Sequence, residues 1–222
     1  MVEDEESARA DEIFGILKGS FSVPDLSDIA VDPFRVLVRT IISQSTAEVN
    51  TRRAFRNLSE RLPVTPRGLA EASVKEIEKS LRVAGLYRNK SRTINKVSRL
   101  IIERFNGSLE FVYSSSLEEA REKLMSLPGV GPKTADIVLL FCARKPTLPV
   151  DTHVNRVTKR LGFVGSSADY EEIRKSLQAL YPPEKYFEVL MLFIALGRRY
   201  CKARRPLHQS CPVNELCPSA EA

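Results

Sequence analysis

Leu-Pro-Gly-Val-Gly-Pro-Lys-Thr-Ala-Asp-Ile-Val, residues 127–138, decides how the chain folds. Gly129 and Gly131 can take positive φ, so the stretch can turn tightly and present its N–H groups. Pro132 suits the first position of a helix, where its missing N–H would have no partner anyway. Ala135, Val138, Leu139 and Cys142 then recur at i, i+3, i+4 and i+7, the stripe of a core-facing helix. The stretch reads as a hairpin between two helices, with the second helix starting directly behind the glycines. Open N–H groups and the positive end of a helix dipole bind phosphate at such a place without reading sequence. Alone, Gly-Val-Gly is better read as an ordinary helix–turn–helix, since short motifs match by chance.

Lys133 changes that balance. It falls in the first turn of the helix, where the dipole disfavours a cation. Burial in a cleft would act the same way, lowering its pKa and freeing the amine as a nucleophile. The bland alternative is a lysine that is merely solvated or touches a phosphate. Downstream, Val-Asp-Thr-His at 150–153 follows Pro149 and opens a helical run, so Asp151 reads as an N-cap. A capping aspartate is held in place, which also suits catalysis.

The rest of the chain reads as all helix, with no convincing strand alternation. Asp32-Pro33 is a cap followed by a first-turn proline, and Phe34, Leu37, Val38, Ile41 and Ile42 form a core stripe. Ile77, Leu81 and Val83 suggest a short helix ending before Gly85. Further helices are expected over 87–105, stopped by Asn106-Gly107, and over 117–125, 152–161, 170–180 and 185–200. No internal repeat or low-complexity linker is visible.

With Lys133 and Asp151 placed, the chain resembles the endonuclease III family of helix–hairpin–helix DNA glycosylases, from about Pro33 to Cys217. In that family the lysine of the LPGVGxKTA motif is the nucleophile and the aspartate of VDTH its partner. Both residue types and their order match at Lys133 and Asp151. Gly-Leu-Tyr-Arg-Asn-Lys-Ser at 85–91 resembles the family's GLYxxKA loop, whose leucine wedges into the DNA stack, which points to Leu86. Ile-Ile-Ser-Gln-Ser-Thr at 41–46 resembles the segment whose glutamine fills the gap left by a flipped base. That points to Gln44, with Ser45 as the alternative.

The resemblance implies an all-α fold of two helical domains. A helical barrel-like domain, residues 26–145, would carry the hairpin. A terminal domain would combine residues 1–25 and 146–222, with the active-site cleft between the two. It also implies a bifunctional DNA glycosylase and AP lyase acting on oxidised or damaged pyrimidines in double-stranded DNA. In that scheme Gly129, Val130 and Gly131 hold the DNA backbone, while Leu86 and Gln44 prop the duplex. Lys133 attacks the sugar and forms a Schiff base, and Asp151 stabilises the developing positive charge. His153 reads as structural. A monofunctional mismatch glycosylase and a non-catalytic helix–hairpin–helix DNA-binding protein are the alternatives.

Four cysteines supply the second signal. Cys142 lies on an apolar stripe and reads as a core thiol. Cys201, Cys211 and Cys217 crowd one proline-rich loop, which inside a cell means metal more often than disulfide. The family's loop has the form C-x6-C-x2-C-x5-C and holds a [4Fe–4S] cluster. In that register this chain offers Cys201, His208, Cys211 and Cys217, with histidine as the second ligand. Three cysteines and a histidine are also a structural zinc set, and a loop without metal is the third possibility. Arg198, Arg199, Lys202, Arg204 and Arg205 crowd the same loop, as phosphate contacts or as a solvated basic edge.

The 222 residues suffice for one or two domains with a real core. Lys and Arg number 34 against 28 Asp and Glu, a net charge of +6. The first twelve residues hold six acids and one base; setting their −5 aside leaves +11 on the rest. A basic body suits DNA, because neutralised phosphates release counterions. No apolar run is long enough to span a membrane and the charged N-terminus is no signal peptide, so an intracellular monomer working on DNA is expected.

Overall fold

The structure, a computed structural model, describes residues 2–23 and 32–220, with side chains described from residue 5 onward. Among the described residues the chain forms twelve α-helices and no strand. In chain order these are α1 (Val2–Ser20), α2 (Pro33–Ser43), α3 (Glu48–Arg61), α4 (Pro66–Glu71), α5 (Val74–Leu81) and α6 (Tyr87–Phe105). Then follow α7 (Phe111–Ser114), α8 (Leu117–Met125), α9 (Pro132–Ala143), α10 (Thr152–Arg160), α11 (Tyr170–Leu180) and α12 (Tyr186–Arg199). Two compact units divide them: Leu26–Lys145, and Met1–Asp25 together with Pro146–Ala222.

Local chemistry sets the helix ends. Asp32 Oδ1 accepts from the N–H groups of Phe34 (2.8 Å) and Arg35 (3.3 Å), and Pro33 occupies the first turn of α2. Capping boxes open α5 (Ser73 with Glu76), α8 (Ser116 with Glu119) and α11 (Asp169 with Glu172). Each such cap contributes about 1 kcal/mol. Asn106 and Gly107, both left-handed, stop α6 at the residue the sequence marks. α12 starts one residue later than its periodicity suggests, because Lys185 closes a 3-10 turn that begins at Pro183.

In the middle unit, the core-facing stripe of α2 packs against α9, and α4 against α6. Leu37, Ile42, Ile94, Val97, Val138 and Leu139 are fully buried there. Asn95 closes the α4 end by donating from Nδ2 to the carbonyls of Leu69 (2.8 Å) and Ala72 (3.0 Å). Cys142 is only partly buried, and burial, with the Asp32 charge second, pushes its thiol up to about 12.

The two limbs of the hairpin are tied together by charge. Arg121 on α8 donates from Nε to Oδ1 (2.9 Å) and from Nη2 to Oδ2 (3.3 Å) of Asp136 on α9, which is fully buried. Arg121→Met removes a charged partner of this buried carboxylate and two charge-assisted hydrogen bonds, so it is expected to lower stability by about 1.5–3 kcal/mol. Urea unfolding measures it; a loss below about 1 kcal/mol would mean that the pair behaves like a solvated one.

In the terminal unit, α1 packs against α11 and α12. Ala10, Ile13 and Leu17 are fully buried, so the acidic N-terminal helix is a core element, with Glu5, Asp11 and Glu12 exposed. Arg9 Nη1 donates to the carbonyls of Leu161 (2.7 Å) and Leu216 (3.1 Å), pinning α1 to the end of α10 and to the cysteine-rich loop. Tyr181 OH donates to the Ala10 carbonyl at 3.1 Å.

Candidate active site

The hairpin turns on one glycine. Gly129 has φ +76°, and a Cβ there would stand 2.7 Å from Thr93 Cγ2, so any other residue is strained and clashes. Gly131 differs from the expectation: its φ of −95° and ψ of −178° are extended, and a Cβ would meet nothing within 4 Å. Its value is the open approach to the backbone. Val130 is buried in the core and its N–H donates to the Leu127 carbonyl (3.2 Å), so its side chain anchors the turn. No side chain caps α9, whose first N–H groups stay open for an anion.

Lys133 sits on that uncapped first turn and is exposed. The burial expected to activate it is absent: Lys133 is on the outer side of a turn whose next residues, Thr134 and Ala135, are buried. Further along α9, Ile137 and Phe141 follow at i+4 and i+8 and wall a cavity of about 220 Å³ with Arg35, Arg39, Thr40 and Phe55.

Asp151 is the N-cap of α10. Its Oδ1 accepts from the N–H groups of both His153 and Val154, each at 2.8 Å, so Oδ2 takes no part in the cap. One oxygen holds the side chain and the other can serve a ligand. His153 packs against Gly197, where a Cβ would come within 2.8 Å of the His153 Cβ. Burial pushes the His153 pKa below its usual value, against an opposing pull from Asp151. Arg156 Nη2 lies 3.1 Å from its Nδ1, and since arginine only donates, that nitrogen is an acceptor.

Arg156 was not legible as a site residue. It also donates to the carbonyls of Thr152 (3.2 Å), Gly197 (2.9 Å) and Cys201 (2.7 Å). One turn on, Arg160 Nη1 donates to the Lys202 carbonyl (2.7 Å) and to Cys201 Sγ (3.4 Å). The two arginines therefore bind the helix that Asp151 caps to the start of the cysteine-rich loop. Their i, i+4 spacing was the available signal, but it looks the same on a solvated helix face.

Cys201, His208, Cys211 and Cys217 line a single cavity together with Arg160 and Tyr200. Burial raises the thiols of Cys211 and Cys217 above their usual range, partly offset by backbone hydrogen bonds. Among the described residues no group of three or more Cys, His, Asp or Glu side chains is arranged to hold a metal ion. These four side chains would be the donor set of a cluster, in which each iron takes its own protein ligand. The guanidinium against Cys201 supplies positive charge beside such a group.

The loops expected to meet DNA carry strained backbone. Leu86 has φ +56° and is 63% exposed, a large apolar side chain held out in a left-handed conformation. Ser45 has φ +50°. Gln44 Nε2 donates to the Gly129 carbonyl at 3.1 Å, which joins its loop to the hairpin. Leu86, Ser45, Gln44 and Gly129 thus belong to one connected surface of the middle unit.

The sequence profile of the HhH-GPD superfamily of base excision DNA repair proteins matches residues 38–183. That of the iron–sulfur binding domain of endonuclease III matches residues 201–217. The endonuclease III of Thermotoga maritima is 39% identical over 186 residues, covering 84% of this chain and 83% of that protein. The Escherichia coli enzyme is 32% identical, covering 85% of each. A solved trapped endonuclease III–DNA covalent intermediate, an estranged-adenine complex, superposes with a TM-score of 0.83 at 30% identity, over 100% of this chain and 98% of that one. A thermostable thymine-DNA glycosylase shares the fold at a TM-score of 0.81 and 19% identity, over 96% of this chain and 97% of that one.

Proposed function

Because the chain belongs to the endonuclease III family of base excision DNA repair proteins, a DNA glycosylase and AP lyase acting on damaged bases, we propose that Lys133 is its nucleophile and Asp151 the partner carboxylate. The observation that carries this is an exposed amine on the open first turn of α9, immediately behind the left-handed Gly129. The hairpin N–H groups hold a phosphate, and the damaged nucleotide leaves the stack, as chemistry on a base requires. Leu86 enters the stack beside the vacated position and Gln44 fills it.

The free Lys133 Nζ attacks the sugar C1′. The C1′–N bond breaks, and the base departs with the electron pair and a proton. Asp151 stabilises the positive charge that develops on the sugar and accepts protons from the amine. Ring opening gives the Schiff base. Loss of a C2′ proton then breaks the C3′–O bond and expels the 3′ phosphate, and water releases the lysine. The substrates are oxidised or ring-damaged pyrimidines in double-stranded DNA, and the enzyme acts as a monomer. No described helix is long and apolar enough to cross a membrane.

A duplex with thymine glycol and one with a plain abasic site test this together. Strand nicking in both is expected. Base release without a nick would mean a monofunctional relative. Binding without either would mean a DNA-binding module.

Cys201, His208, Cys211 and Cys217 are the residues that would hold a [4Fe–4S] cluster in this loop. When bound, such a group supplies an anionic core and one-electron chemistry that no step above uses. Its support is the four donors around one cavity and the match over residues 201–217. Protein purified without oxygen is expected to contain iron and sulfide. His208→Cys, which restores a fourth thiolate, is expected to slow iron loss to a chelator. Zinc, or no metal, would contradict the assignment.

A further inference from the structure

Lys90 has no role in the chemistry above, yet it is one of the least expected side chains in the molecule. It is only 4% exposed, and both acceptors of its ammonium are neutral. Nζ donates to the Ile42 carbonyl at 2.8 Å and to Thr46 Oγ1 at 2.6 Å. Burial lowers its pKa, as expected for a cation taken from water. A buried charge without an opposite charge is costly and persists where its surroundings hold it.

Those surroundings are the two strained loops. Ile42 lies in the last turn of α2, where carbonyls lack helical partners and the dipole end favours a cation. Thr46 closes the loop of Gln44 and Ser45, and its Oγ1 also accepts from the Gly85 N–H at 3.2 Å. A Cβ at Gly85 would stand 2.8 Å from the Ser45 carbonyl oxygen, so the loops touch backbone to backbone. Lys90 itself lies in the first turns of α6, directly after Leu86. One ammonium and one hydroxyl therefore join the Gln44 loop to the Leu86 turn.

We propose that Lys90 is a positioning residue for DNA distortion, fixing the Gln44 loop and the Leu86 turn as one rigid wedge through Thr46. The proposal rests on Leu86 and Gln44 entering the duplex. Without the ammonium, each strained loop can relax by itself and the spacing between the two side chains is lost. Misplacement of this kind weakens only the step that opens a duplex. A single strand has no stack to open.

The test measures single-turnover cleavage of an abasic site in duplex and in single-stranded DNA, with 2-aminopurine fluorescence reporting unstacking in the duplex. Leu86→Ala shows whether the wedge exists: it should lower the duplex-to-single-strand rate ratio and the fluorescence change. Lys90→Met is expected to lower the same ratio by about 10- to 100-fold, with a parallel loss of fluorescence change. Thr46→Val, which removes the shared acceptor and keeps the branched shape, should act in the same direction and decides the matter if Lys90→Met does not fold. A wild-type ratio in Leu86→Ala would overturn the wedge and the staple together. A normal Leu86 effect with wild-type ratios in Lys90→Met and Thr46→Val would overturn the staple alone. Equal losses on both substrates would make Lys90 merely structural and overturn it as well.

Discussion

Lys133→Ala should reduce cleavage at an abasic site by about 10⁴-fold or more, the scale seen when a covalent nucleophile is removed. Binding should barely change. In the proposed mechanism the phosphate is held by the hairpin backbone and the uncapped first turn of α9, which the substitution leaves in place. At most one phosphate contact is lost, so the slope of log affinity against log salt should fall by about 1 or less. Lys133→Arg should be as inactive as Lys133→Ala, because a guanidinium does not deprotonate and cannot form the imine. An active arginine variant would mean that position 133 serves only as a positive charge. Since Lys133 is exposed, the substitution should leave stability within about 0.5 kcal/mol of the parent.

Asp151→Asn should separate the two roles of this aspartate. Asparagine caps a helix as well as aspartate does, and the cap uses only Oδ1, so α10 should keep its start. What is lost is the negative charge that the proposed mechanism directs at the sugar. Activity on a damaged base is expected to fall by about 10²- to 10⁴-fold. Asp151→Ala should add a stability loss of about 1 kcal/mol from the missing cap. If Asp151→Asn keeps full activity and only Asp151→Ala loses it, Asp151 is a cap and nothing more. Thermal melts and single-turnover rates on the same samples distinguish these results.

The helices that announce themselves in the sequence are those with chemical stops. Asp32-Pro33, Asn106-Gly107 and Asp151 each mark an end where the structure has one. α3 was missed because its buried stripe is thin, only Thr51, Ala54 and Leu58, and Ala47 offers no side-chain cap. α1 was missed as a core element because its acids hide the short run of Ala10, Ile13 and Leu17. At the site, residue types and order were legible, whereas exposure and hydrogen-bond partners were not. Burial of Lys90, exposure of Lys133 and the reach of Arg156 and Arg160 all depend on what tertiary packing brings near a long side chain. Gly131 shows the same limit: its conformation is ordinary, and only its surroundings say why the position is open.

The account stands on one covalent bond. Borohydride added to the enzyme and a thymine-glycol duplex should trap the imine as a stable amine, and digestion followed by mass spectrometry locates it. The modified peptide should carry the nucleotide remnant on Lys133. An adduct on the N-terminal amine or on another lysine, with Lys133 unmodified, would contradict the assignment of the nucleophile.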